Sequence, residues 1–107
     1  MMLPKALVQV RWLTTAEGGR SQPFAGVRYT PTARFAGERD QFSVVLEFSN
    51  EQTNPSEGKL SLLFPDNQKI QRRIIPGCQI EIMEGSRTVA HCEVLSLEME
   101  NRERAKV

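Results

Sequence analysis

Phe42-Ser43-Val44-Val45-Leu46-Glu47-Phe48 decides the fold. Phe42, Val44, Leu46 and Phe48 fall on one side of a two-residue period and Ser43, Val45, Glu47 and Ser49 on the other, the pattern of a half-buried strand. Upstream, Ala6, Val8, Val10 and Trp12 alternate with Leu7, Gln9, Arg11 and Leu13, which predicts a second strand with the first set inward. Between them, Thr14–Gln22 carries Gly18 and Gly19 and reads as a loop. Val27–Phe35 alternates weakly around Pro31, which predicts an edge or irregular strand because proline has no N–H for a ladder. Downstream, Ser49–Gly58 is polar with Asn, Pro and Gly and reads as a long loop. Leu60, Leu62 and Phe64 make a further strand stopped by Pro65-Asp66-Asn67.

Gln68–Pro76 mixes Lys69, Arg72 and Arg73 with Ile70, Ile74 and Ile75, fits neither period, and ends at the Pro76-Gly77 turn. Ile80 and Ile82 begin a hairpin that turns at Glu84-Gly85-Ser86 into Arg87–Leu97, with Gly85 supplying the positive φ. The apolar face switches there from Ala90, Cys92 and Val94 to Leu95 and Leu97, which predicts a bulge near Val94-Leu95. Six short strands with little helix predict an all-β fold, a small six-stranded antiparallel Greek-key barrel whose closure hides its edges. Residues 1–97 form the single expected domain, and 98–107 a charged, frayed tail. Trp12 and the phenylalanines Phe24, Phe35, Phe42, Phe48 and Phe64 are the expected aromatic core.

The bulk figures agree with one ordinary globular domain: 107 residues, 39% hydrophobic, 25% charged, formal charge +1. No apolar run exceeds three residues, which excludes a spanning helix. The N-terminus lacks the order of a signal peptide, and two cysteines without one favour free thiols in a cytoplasmic setting. Charge is uneven, with residues 1–48 at net +2 and 77–107 at net −2, and ten of the 14 basic residues are Arg. Arginine suits bidentate recognition of phosphate or carboxylate.

No catalytic constellation is visible. Asp40 and Asp66 are the sole aspartates, and neither GxxxxGK[ST] nor GxSxG occurs. His91 neighbours Cys92, and adjacent strand residues point to opposite faces, so the two cannot pair directly. Cys78 could face His91 or Cys92 across the hairpin: a three-residue turn sets it opposite Cys92, and a two-residue turn offsets it by one. Two Cys and one His at these spacings fall short of a zinc site. The reading predicts a protein that binds and does not catalyse, without metal or other cofactor.

Two segments carry a family resemblance. Ala6-Leu7-Val8, then Glu17-Gly18-Gly19-Arg20-Ser21-Gln22-Pro23-Phe24, then Tyr29-Thr30-Pro31, resembles the opening of the C-terminal β-barrel of elongation factor Tu, where a first strand leads into EGGRHTPF and a GYRPQFYF-like strand. Met83-Glu84-Gly85-Ser86-Arg87-Thr88-Val89-Ala90 is similar to the final hairpin of that barrel, REGGRTVGAG. The match covers roughly residues 6–35 and 77–97. The middle departs: the family's Met-Pro-Gly-Asp turn precedes its fourth strand, whereas Pro76-Gly77 precedes the fifth here, and Ser49–Gly58 has no counterpart. No GTP-binding domain or second barrel accompanies the match, so the resemblance implies a standalone relative that does not bind GTP.

In that family the barrel holds the T-stem backbone of aminoacyl-tRNA and docks the exchange factor elongation factor Ts. Carried over, the resemblance implies a phosphate-contacting Arg20, a backbone-touching pair Glu84 and Gly85, and Arg87 as the hairpin's second arginine. Ser21, Thr32 and Met83 stand where the family has histidine, glutamine and arginine. Tyr29 is either a stacking residue or part of the wall. Arg20, Arg28, Arg34, Arg72 and Arg73 are the cations available to phosphate. The expected function is a protein-binding module, with Arg20, Ser21, Tyr29, Thr32, Glu84, Gly85 and Arg87 as candidate contacts. Its alternative is tRNA or structured-RNA binding through Arg20 and the hairpin, and no membrane is expected as partner.

Overall fold

A computed structural model describes residues 2–18, 27–48 and 54–101, and side chains only within 5–98 of these. The alternation around residue 8 becomes β1 (Met2–Trp12), which buries Ala6, Val8, Val10 and Trp12. A capped turn follows: Thr14 Oγ1 accepts from the Glu17 N–H at 3.2 Å, and Glu17 Oε1 accepts from the Thr14 N–H at 3.0 Å. Then come β2 (Arg28–Tyr29), β3 (Thr32–Phe35), β4 (Phe42–Phe48) and β5 (Ser56–Leu62). A single helical turn, α1 (Gln68–Gln71), precedes β6 (Gln79–Glu84) and β7 (Arg87–Asn101).

All pairings are antiparallel, and they run in a circuit β1–β5–β4–β3–β6–β7 and back to β1. The sheet is thereby a closed six-stranded barrel. β3, β4 and β5 form a meander, and β1 lies beside β5, a Greek-key arrangement. Inside sit Val8, Val10, Trp12, Val44, Leu46, Leu60, Ile80, Ile82, Val89 and Val94, together with smaller neighbours.

β2 and β3 keep one register against β4, from Arg28 opposite Glu47 to Ala33 opposite Phe42. They are halves of one strand broken at Thr30-Pro31. The Val44 N–H donates to the Pro31 carbonyl at 3.0 Å, and Pro31 has no N–H to return. The strand is irregular as expected, but β3 is no edge, because β6 pairs along its other side. β7 carries the expected bulge: Leu7 faces Ser96 while Val8 faces Val94, so Leu95 is the extra residue. Leu97 thereby falls opposite Ala6, yet Leu95 and Leu97 both stay exposed, so the apolar face read as switching to them is not buried.

Several expectations give way. β5 begins at Ser56, inside the stretch read as the Ser49–Gly58 loop, because Ser56 and Gly58 pair with Val10 and Val8 of β1. Residues 49–53 lie outside the described residues. Asn54 prolongs that seam by bonding both backbone groups of Trp12, at 3.0 and 3.3 Å. β5 stops at Leu62, and Phe64, read as core, is 68% exposed. Trp12, Phe35 and Phe48 are core, Phe42 packs on it partly buried, and Phe24 lies outside the described residues. β7 continues beyond Leu97 to Asn101, since Lys5, Pro4, Leu3 and Met2 pair with residues 98–101. Only 102–107 of the expected tail lie outside the described residues.

Candidate functional site: the hairpin end of the barrel

The β6–β7 connection is a two-residue turn, Gly85-Ser86, with Gly85 at φ 64° and a negative φ at Ser86. Glycine at the first central position is what a type II′ hairpin turn requires. Across it, Arg87 Nη2 donates to Glu84 Oε1 at 3.4 Å. The other Glu84 carboxylate oxygen accepts from the hydroxyl of Tyr29 on β2. Tyr29 is half-buried, its ring tilted against Trp12 at a centroid distance of 6.0 Å. It belongs to the wall with its hydroxyl turned to the hairpin.

A second bridge joins the turn to β3 through Gln41, the residue before β4. Thr32 Oγ1 donates to Gln41 Oε1 at 2.6 Å, and Gln41 Nε2 donates to the Gly85 carbonyl at 3.2 Å. Five residues singled out by sequence, Tyr29, Thr32, Glu84, Gly85 and Arg87, therefore share one end of the barrel. Arg20 and Ser21 lie outside the described residues. Gln41 was missed, since nothing in the chain marks it except its place just before β4.

Gln41 also lines a groove of about 290 Å³ with Phe42, Ser43, Leu62, Phe64, Asn67 and Ile70. The hairpin cluster and Phe64 are thus parts of one surface. Phe64 was legible as an apolar residue, but its period with Leu60 and Leu62 concealed that the strand ends before it. Pro65 is the nearby signal, because proline has no N–H to give a ladder and closes the strand ahead of it.

The other arginines are mostly engaged. Arg34 Nε lies 2.6 Å from Glu81 Oε1. Arg73 stacks 4.0 Å above the Phe35 ring and makes a double hydrogen bond with Glu38, one arm at 2.9 Å. That contact holds the Glu38 carboxyl below its usual range and lifts the Arg73 guanidinium above its own. Arg72 faces the Gln68 amide at 3.5 Å.

Cys78 takes neither of its expected positions. The turn has two residues, but a register shift between Ile82 and Met83 makes Val89 an extra residue of β7. Cys78 thereby falls opposite Val94, whose N–H donates to the Cys78 carbonyl at 3.0 Å. Burial pushes the Cys92 thiol up to about 12, with a smaller contribution from Cys78. Among the described residues no three His, Cys, Asp or Glu side chains are grouped so as to hold a metal ion.

No family model matches this chain, and no curated protein matches it. The surface at the hairpin end has a definite chemistry of its own. It combines an aromatic anchor with charged and amide groups already bonded to one another. Such a composition resembles the centre and rim of a protein interface.

Proposed function

We propose that this chain is a non-catalytic binding module, related to the C-terminal barrel of elongation factor Tu, that docks a protein partner across its hairpin end. The observation that carries the proposal is the exposed Phe64, joined through Gln41 to the Tyr29–Glu84–Arg87 cluster. A large exposed aromatic in a groove gains far more from a protein partner than from phosphate. The cluster supplies a rim whose polar groups are held in place before binding, so little ordering cost remains. Free Cys78 and Cys92 suit a reducing, cytoplasmic setting.

The RNA reading has less behind it. Glu84 brings negative charge to the hairpin, and Arg87, Arg34 and Arg73 each already face a carboxylate. Affinity for a phosphate backbone scales with the cations free to neutralise it.

The test is capture by tagged wild-type protein and by Phe64→Ser from a lysate of its own cells, beside fluorescence anisotropy with bulk tRNA. The expected result is a discrete protein held by the wild type and lost by the variant, with weak tRNA binding. Tight, steeply salt-dependent tRNA binding without a captured protein would overturn the proposal.

A further inference from the structure

A second groove, about 300 Å³ in volume, lies beside the Leu63-Phe64-Pro65 corner on the outer wall of the barrel. Its lining includes Lys5, Arg28, Val45, Glu47, Leu63 and Pro65. Val45 stands between the inward-facing Val44 and Leu46, so it points out of the barrel. It is nevertheless only 6% exposed. An outward valine covered to that degree belongs to a concavity, and with the exposed Leu63 and Pro65 it makes the apolar part of the slot.

The charges around this slot do not balance. Glu47 lies opposite Arg28 in the β2–β4 ladder and opposite Lys59 in the β4–β5 ladder. Its carboxylate accepts instead from Lys5 Nζ at 3.1 Å, and Lys59 pairs with Glu98 at 3.0 Å. Arg28 is exposed and has no carboxylate partner among the described residues. The groove thus presents apolar surface beside one uncompensated guanidinium.

We infer that this groove docks an acidic peptide segment. An aliphatic or aromatic side chain lies over Leu63 and Pro65 beside Val45, and a neighbouring Asp or Glu carboxylate meets Arg28 in a bidentate contact. The groove is open to solvent along the wall, which suits a chain passing across it better than an enclosed small molecule. β4 and β5 beneath it are paired on both sides, so neither can take an added strand and the side chains on them carry recognition. One unpaired cation is too few for a nucleic-acid backbone. The inference rests on the binding-module reading but uses a different groove, so the two can fail separately.

The experiment is an amide NMR titration of the full chain with acetyl-Glu-Leu-Glu-Phe-amide and its neutral analogue acetyl-Gln-Leu-Gln-Phe-amide. Shifts are expected at Arg28, Val45, Glu47, Ser61 and Leu63, with about tenfold weaker binding of the neutral peptide. Arg28→Gln should abolish that difference, Leu63→Ser should weaken both peptides, and Phe64→Ser should leave both unchanged. Equal affinity for the two peptides, shifts confined to other surfaces, or tRNA moving the Arg28 signal at physiological salt would overturn the inference. If Phe64-dependent capture succeeds and the peptides are silent, this inference falls and the module reading stands. If the peptides bind and no Phe64-dependent partner is captured, this groove stands and docking across the hairpin end falls.

Discussion

At Gly58 the backbone of β5 runs so close to β4 that a Cβ would sit 2.8 Å from the Glu47 carbonyl oxygen and 3.0 Å from Phe48 Cδ1. Both neighbours are fixed, one by the ladder and the other by the core. Gly58→Ala should therefore cost about 1–3 kcal/mol, read from urea unfolding. Cys92 makes a second, pH-dependent prediction. Below the ordinary thiol value of 9.0 it is protonated in folded and unfolded chains, and the stability it contributes is fully present. As pH rises from 9.0 towards 12 the unfolded thiol ionises first, so stability falls with increasing pH. The slope is about 1.4 kcal/mol per pH unit, and Cys92→Val should remove that part of the alkaline loss in unfolding midpoints. Legibility at this scale followed sequence distance. Gly85 and the Glu84–Arg87 pair could be anticipated because a hairpin sets them locally. Tyr29 and Glu84 meet across 55 positions, and their contact depends on the registers of β2 against β4, β4 against β3 and β3 against β6, which no local pattern encodes.

Among the elements, the broken strand β2–β3 is where a substitution should repair something. Val44 donates to the Pro31 carbonyl, and the reciprocal donor is absent. Pro31→Val supplies an N–H in an unbroken register, so hydrogen exchange should find a protected amide at position 31 and slower exchange at Tyr29 and Thr32. Exchange at 31 as fast as in an unstructured peptide would refute the account. The inward faces of β1 and β4 were readable because alternation over seven or more residues is hard to produce otherwise. The Leu95 bulge was readable for the same reason, since a slip of one residue inverts the pattern visibly. The start of β5 was not. Ser56, Glu57 and Gly58 are polar or small, and they are strand because Val10, Gln9 and Val8 opposite them need partners.

For the whole molecule, the ion pairs Lys5–Glu47, Arg34–Glu81, Lys59–Glu98 and Arg73–Glu38 tie strand to strand or loop to loop around the wall. The exposed pairs Lys59–Glu98 and Arg73–Glu38 contribute little stability each, and the closed core carries the fold. Phe64 lies outside that core. Phe64→Ser should accordingly change stability by less than about 0.5 kcal/mol, measured by thermal unfolding beside the capture experiment. A large destabilisation would return Phe64 to the core and remove the anchor from the proposed interface.

The circuit of the barrel also dictates an order of assembly. β1 sits between β5 and β7, so both neighbours of the earliest strand are supplied by later chain. On a ribosome, the apolar face Ala6, Val8, Val10 and Trp12 waits for Ser56–Leu62 and then for Arg87–Asn101 to emerge before it is covered on both flanks. Such long-range pairing is slow, and a chain stalled or cleaved ahead of residue 87 is left with an unpaired β1 flank, the kind of edge that other chains and chaperones recognise.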